Sequence, residues 1–157
     1  MMSASSKSAA ALRLMTDLKM IRKEPPEGCS AGPILDDNIF AWEATILGPA
    51  DTPWEDGIYN MYLTFPERYP EEGPTARFQT EMFHPNIQEN GKVCLDIIQE
   101  NWSPVYTVNM ILMSIQSLLA DPNPNSAANS EAAQIYHRDR NAYEKKVREC
   151  AAKSINL

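Results

Sequence analysis

The hydrophobic residues of this chain change their spacing twice, and this order limits the folds that the chain can adopt. Near the N-terminus, apolar residues at helical spacing predict a first helix that ends before Pro25-Pro26. Alternation of apolar and polar residues then predicts three strands, over residues 36–47, 59–65 and 75–80. Consecutive strands with short connections favour an antiparallel meander.

The second half of the chain is predicted to be a long loop followed by helices. Residues 82–106 show no sustained period, yet they are rich in apolar side chains, which indicates a packed loop of functional importance. Helical spacing returns over residues 108–119, 130–137 and 140–154. The order helix, strands, loop, helices predicts an α+β domain.

Length and charge restrict the number of domains and the kinds of partner. We find no internal repeat or linker in the 157 residues, so we predict one domain over residues 1–157, with a short flexible segment at about residues 1–8. The formal net charge is −7, and the sequence pI is about 4.8. Direct binding to nucleic acid is therefore not expected, because it depends on clustered positive charge.

The cysteines and histidines do not form a recognisable metal or disulfide pattern. Cys29, Cys94 and Cys150 are far apart, and only His84 and His137 accompany them, so no metal site is expected. The chain shows neither a secretory leader nor a run of about 18 apolar residues, so no membrane contact is expected. These features favour a reducing compartment, the cytoplasm or the nucleus.

Several short motifs follow one another at fixed separations. His84-Pro85-Asn86 precedes Cys94, and the histidine stands ten positions before the cysteine. Further motifs lie on either side: Gly48-Pro49, Tyr69-Pro70, Trp102-Ser103-Pro104 and residues 121–126. Together they resemble the motifs of ubiquitin-conjugating enzymes over most of the chain. Residues 114–119 and 124–130 are most similar to the subgroup that serves DNA-damage tolerance and histone ubiquitination.

The resemblance implies both a fold and an activity. The fold is an N-terminal helix, a four-stranded antiparallel meander, an active-site loop and C-terminal helices. The enzyme accepts ubiquitin from the activating enzyme as a thioester on Cys94 and transfers it to a lysine of a protein substrate. No bound cofactor is implied, because the upstream activating enzyme uses the ATP and magnesium.

The resemblance also suggests roles for the residues of the motif, each with an alternative. Asn86 is expected to donate a hydrogen bond to the oxyanion that forms during transfer, although it could instead shape the loop. His84 is expected to hold the loop through its ring, and Pro85 to stiffen it; the alternative is that His84 acts as a general base for Cys94, as in a cysteine hydrolase.

Three further residues are expected to support the reaction. Gln88 lies where relatives contact the substrate lysine, and the charge of Asp96 roughly balances that of Lys92 beside Cys94. Many relatives carry an acidic residue at the position of Ser126, and a hydroxyl group cannot supply the same charge to activate the incoming amine.

The resemblance places a surface for the activating enzyme and a RING-type ligase on the first helix and two loops. The candidate contact residues are Arg13, Glu71, Trp102, Ser103 and Pro104. Trp102 could instead be buried against the active-site loop. Because Glu71-Glu72 replaces the basic residue that relatives carry, the identity of the ligase is not implied.

Three alternatives remain open at this point. The chain could be an inactive scaffold of the same fold, a carrier of a ubiquitin-like modifier, or a cysteine hydrolase. The presence of both Cys94 and Asn86 argues against the inactive scaffold.

Overall fold

The computed structural model describes residues 8–156, and it confirms the predicted α+β architecture. The helices and strands, in chain order, are α1 (Ala9–Lys23), β1 (Cys29–Leu35), β2 (Asn38–Leu47), β3 (Ile58–Thr64), β4 (Thr75–Phe78), α2 (Val108–Ala120), α3 (Ser130–Arg138) and α4 (Arg140–Ile155). The four strands form one antiparallel sheet in the order β1-β2-β3-β4. Among the described residues, no helix has the length and apolar character needed to cross a bilayer.

Side chains define where each helix begins. Ser8, Thr107, Asn129 and Asp139 each accept a hydrogen bond from a backbone N–H in the first turn of the helix that follows, at 3.1–3.2 Å. Of the segment predicted to be flexible, residues 1–7 lie outside the described residues, and Ser8 is the cap of α1.

The sheet differs from the strand prediction at its edge and at several strand ends. The pattern alone missed β1, which pairs with β2 along the sheet edge and is buried only at Cys29. The strand predicted from residue 36 begins at Asn38, because Asp36 and Asp37 form the turn between β1 and β2. The strand predicted to reach residue 80 ends at Phe78.

One hydrophobic core joins the sheet to the helices. The alternating residues of β2 and β3 meet the apolar face of α2, and fully buried members include Trp42, Ile46, Met61, Ile111 and Ile115. This packing fixes the C-terminal end of α2, and with it the segment 121–129 that follows.

Candidate active site

A short hairpin of residues 84–94, here called the site hairpin, carries the predicted motif. Ile87 pairs with Val93 in an antiparallel bridge, and both side chains are buried. The backbone N–H of Cys94 donates to the carbonyl of Asn86 at 2.9 Å. The hairpin therefore brings the two principal predicted residues, Asn86 and Cys94, to opposite positions of neighbouring strands.

The hairpin turn depends on Gly91. This residue has a φ of +92°, and a Cβ built on it would lie 2.1 Å from the carbonyl oxygen of Phe78. The same close approach allows the carbonyl of Gly91 to accept the N–H of Phe78 at 2.8 Å, while the N–H of Val93 donates to Ala76 at 2.9 Å. The second arm of the hairpin thus continues the sheet beyond β4.

His84 is a structural element of the site. Its side chain is fully buried; its Nδ1 accepts the N–H of Asn86 at 2.9 Å, and its Nε2 donates to the carbonyl of Leu118 at 2.7 Å. Burial lowers the pKa of His84 from 6.5 to about 4. Because both ring nitrogens are occupied by backbone groups, this geometry favours loop support over the role of general base for Cys94.

Asn86 connects the site hairpin to the segment 121–129. Its fully buried amide donates to the carbonyls of Asn123 and Ser126 at 2.8 and 2.6 Å, and its Oδ1 accepts the N–H of Asn123 at 2.7 Å. Both amide hydrogens are therefore engaged in this structure. This geometry supports the loop-shaping alternative, and donation to an oxyanion requires the amide to release one carbonyl.

Pro85 and Ser126 contribute through the backbone. The carbonyl of the buried Pro85 accepts hydrogen bonds from the backbone N–H groups of Ala128 and Asn129, at 2.7 and 3.1 Å. Ser126 holds Asn86 through its carbonyl, and its side chain lies in an exposed turn. The hydroxyl thus faces solvent at the rim of the site.

Cys94 is the most accessible of the three thiols. It is half-buried, whereas Cys29 and Cys150 are buried, which raises the pKa of each of those two thiols to about 11. The side-chain amide of Gln88 lies 3.9 Å from Sγ of Cys94 and can donate to it. Gln88 is therefore placed beside the sulfur itself.

Asp96 lies just beyond the reactive segment. It begins a short 3₁₀ turn, Asp96–Ile98, and its carboxylate accepts a hydrogen bond from the amide of Asn101 at 3.1 Å. The backbone N–H of Asn101 also donates to its carbonyl at 2.9 Å. The contacts of Asp96 thus order the chain that leaves Cys94.

Arg13 makes internal contacts between the first helix and the loop after the 3₁₀ turn. Its guanidinium donates to the carbonyls of Pro104 and Tyr106 at 2.6 and 2.7 Å. It also pairs with Asp17 at 3.4 Å. Burial raises the pKa of the Asp17 carboxyl, an effect that hydrogen bonding from Tyr69 and the charge of Arg13 partly offset.

Trp102 packs against the neighbouring loop of residues 66–73. Its indole N–H donates to the carbonyl of Pro70 at 2.8 Å, and its half-buried ring lies against Tyr69 and Tyr106. Ser103 accepts the N–H of Val105 at 3.4 Å. These contacts favour a packing role for Trp102 over the exposed anchor, although its partner is the loop of residues 66–73 and not the active-site loop.

Two exposed apolar residues, next in the chain to the residues of the contact between Arg13 and Pro104, were not predicted from the sequence. Leu12 is 54% exposed and Val105 is 74% exposed, and they adjoin Arg13 and the exposed Pro104 in the chain. Neither belongs to a periodic pattern, and each adjoins a residue of the contact between Arg13 and Pro104.

The acidic pair of the loop at residues 66–73 is exposed and bonded within the loop. Glu71 and Glu72 both contact the guanidinium of Arg68, at 3.2 and 3.4 Å. The two carboxylates therefore compensate the positive charge of Arg68 within the loop. Such exposed pairs contribute at most about 1 kcal/mol to stability.

Comparison with known proteins assigns the fold and motif to a family. The family model described as ubiquitin-conjugating enzyme matches residues 13–151. "Ubiquitin-conjugating enzyme E2 1" of Caenorhabditis elegans is 52% identical over 142 residues, which are 90% of this chain and 73% of the relative. "Ubiquitin-conjugating enzyme E2 2" of Neurospora crassa is 50% identical over 147 residues, 94% of this chain and 97% of the relative. The chain therefore belongs to the family of ubiquitin-conjugating enzymes, which receive ubiquitin from an activating enzyme as a thioester and transfer it together with ligases.

Proposed function

We propose that Cys94 carries ubiquitin as a thioester and passes it to a lysine of a protein substrate. The observation that carries this proposal is the position of the thiol. It lies half-exposed on the second arm of the site hairpin, whereas Cys29 and Cys150 are buried. A nucleophile that exchanges acyl groups with two large partners must be reachable from solvent.

Two acyl transfers make up the reaction. In the first, the thiolate of Cys94 attacks the thioester of the activating enzyme, a new C–S bond forms, and the thiol of that enzyme leaves. In the second, a lysine amine attacks the new thioester, an isopeptide bond forms, the thiolate of Cys94 leaves, and the amine loses a proton to solvent. Neither step needs a cofactor on this chain; ATP and magnesium act upstream.

Residues beside Cys94 support these steps in different ways. His84 and Asn86 hold the site hairpin against the segment 121–129. The amide of Gln88 stabilises the sulfur as negative charge returns to it during transfer. Asn86 can also donate to the oxyanion when one of its two carbonyl contacts opens during transfer.

The proposal extends to the ligase and substrates of the enzyme and to the compartments in which it acts. The exposed apolar residues Leu12, next to Arg13, and Val105, next to Pro104, support binding of a RING-type ligase, because such residues commonly anchor protein interfaces. Similarity at residues 114–119 and 124–130 supports a role in DNA-damage tolerance, with histones among the substrates and action in nucleus and cytoplasm.

A charging assay tests the role of Cys94. The protein is mixed with activating enzyme, ATP, magnesium and ubiquitin, and is then analysed with and without thiol. We expect a thiol-sensitive adduct one ubiquitin heavier, absent in Cys94→Ala and present in the matched control Cys29→Ala. Cys94→Ser should give an ester that resists thiol and is cleaved by alkali.

Other outcomes would point to the alternatives. An adduct formed only with a ubiquitin-like protein would change the modifier, and release of free ubiquitin from a thioester probe would indicate a hydrolase. For the ligase, a RING domain should accelerate discharge of the purified thioester to free lysine, and Val105→Asp should reduce that acceleration at least about tenfold.

A further inference from the structure

The site hairpin presents one set of side chains outward beside the reactive sulfur. Successive side chains of a strand point to opposite faces, and Ile87 and Val93 occupy the buried face. Lys92 and Cys94 flank Val93, so both belong to the outward face. The 3.9 Å contact between Gln88 and Sγ of Cys94 agrees with this assignment, because Gln88 follows Ile87 on the opposite arm.

Lys92 lies within reach of an acyl group on Cys94. At about 3.3 Å per residue, side chains two positions apart on one strand face begin about 6.6 Å from each other. A lysine side chain and the thioester linkage can together span that separation. The amine and the carbonyl carbon can therefore meet without a change in the backbone.

The backbone of Lys92 is held by hydrogen bonds, whereas its ammonium has no partner among the described residues. Its N–H donates to Oδ1 of Asn90 at 3.0 Å, and its carbonyl accepts the N–H of Gln88 at 2.9 Å. Within residues 8–156, its ammonium makes no hydrogen bond or ion pair; by contrast, Lys153 contacts Glu81 at 3.0 Å. The side chain is half-buried, and nothing in the described chain competes for its amine.

We infer that Lys92 is an intramolecular acceptor, a site at which the charged enzyme ubiquitinates itself; this rests on the proposed function of Cys94. The neutral amine of Lys92 attacks the thioester carbonyl, an isopeptide bond forms, and the C–S bond breaks. The thiolate returns to Cys94, and the proton of the amine passes to solvent. Holding two reacting groups on one rigid hairpin replaces a bimolecular encounter, which can raise the effective concentration of the amine by several orders of magnitude.

The reaction has a consequence for the enzyme. The isopeptide-linked ubiquitin would lie two residues from Cys94 and cover the sulfur. An enzyme charged in the absence of substrate would thus convert into a form that cannot readily be recharged. Self-modification at Lys92 would limit the lifetime of the idle thioester.

The test uses the full chain in a single round of charging. The enzyme is charged with ubiquitin, further charging is stopped by chelating magnesium, and thiol-resistant adduct is followed without ligase or substrate. We expect one adduct to form by first-order kinetics, at a rate constant that does not change over a tenfold range of enzyme concentration. Lys92→Arg should lower this rate at least about tenfold. The matched control Lys145→Arg, an exposed lysine on α4, should leave it unchanged.

Peptide mapping gives a second readout. The diglycine remnant left by trypsin should be found on Lys92. The inference is overturned if no thiol-resistant adduct forms, if its rate is the same in Lys92→Arg, if the rate constant rises with enzyme concentration, or if the remnant lies on another lysine. Failure of the wild type to form the thiol-sensitive adduct is a distinct result, which overturns the proposed function and this inference with it.

Discussion

The Nδ1 atom of His84 accepts the backbone N–H of Asn86 at 2.9 Å, so the ring of one motif residue sets the backbone of the other. The opposite nitrogen donates to the carbonyl of Leu118 at the end of α2. The imidazole is therefore neutral and bridges the site hairpin to the core helix. A charge on this ring would lose the acceptor that Asn86 requires.

This buried histidine makes stability depend on pH. Burial lowers the pKa of His84 to about 4 from an ordinary 6.5. Between these values the unfolded chain binds more protons than the folded one, so the free energy of unfolding falls as the pH falls. The expected loss from His84 is about 2 kcal/mol between pH 6.5 and 5, and about 3 kcal/mol by pH 4. Urea denaturation at pH 7 and pH 5 measures it.

Two variants isolate this contribution from that of the carboxyl groups. His84→Gln should be less stable at pH 7 but should lose less stability than wild type on acidification. His137→Gln, which changes the exposed histidine, should keep the wild-type dependence on pH. An equal pH dependence in wild type and His84→Gln would show that the pKa of the ring is the same in the folded and unfolded states.

Sequence patterns predicted the elements whose side chains alternate between core and solvent. Each apolar position predicted on α2 is buried, because one face of that helix meets the sheet. The strand β1 lacks such a pattern, since it contains Gly32 and Pro33 at a sheet edge and all of its residues except Cys29 are exposed or partly exposed. Only the family resemblance implied a fourth strand.

The residues of the site were predicted from the sequence, but the hydrogen bonds that join them to distant parts of the chain were not. Asn86 bonds the main chain of Asn123, which lies 37 residues later, and Arg13 bonds Pro104, which lies 91 residues later. Every residue type has a backbone, so a contact with a distant backbone group cannot be predicted from residue types or from their spacing. For the same reason, spacing could not decide between the two roles of Asn86: the family resemblance favoured the oxyanion role, and the contacts support the loop-shaping alternative.

Substitution of Asn86 should affect both stability and transfer. Asn86→Ala removes two donated hydrogen bonds and one accepted hydrogen bond at a fully buried position. We expect the free energy of unfolding to fall by about 2–3 kcal/mol. Discharge of the thioester to free lysine should slow by about 10²-fold. Denaturant titration and single-turnover discharge measure the two effects.

The two readouts separate the roles of Asn86. Asn86→Asp keeps an acceptor for the N–H of Asn123 but cannot donate to the two carbonyls, so it should also lose both stability and rate. The matched control Asn141→Ala, at an exposed position of α4, should change neither. A loss of rate at unchanged stability would assign Asn86 to the oxyanion alone.

Gly91 should be needed for the shape of the site hairpin. Gly91→Ala places a Cβ 2.1 Å from the carbonyl oxygen of Phe78 and imposes a φ of +92° on a residue with a side chain. The strained backbone alone costs about 1–2 kcal/mol, and the clash adds to it. Charging of Cys94 should fall as the hairpin shifts. Gly32→Ala, which meets nothing within 4 Å, should retain wild-type stability within about 1 kcal/mol and normal charging.

Gln88 should act on the leaving sulfur and not on the fold. Its amide is the donor beside Sγ of Cys94, at 3.9 Å, and its side chain is half-buried, so removing it leaves no cavity in the core. A neutral hydrogen bond contributes about 0.5–1.5 kcal/mol, which predicts discharge to free lysine about 3- to 10-fold slower in Gln88→Ala. Gln88→Leu, which keeps the bulk and removes the donor, should be equally slow, whereas Gln99→Ala at an exposed position should match wild type.

Normal discharge in Gln88→Leu would mean that the side chain acts by filling space. Equal loss in both Gln88 variants at unchanged urea midpoint would identify the donated hydrogen bond as its contribution to transfer.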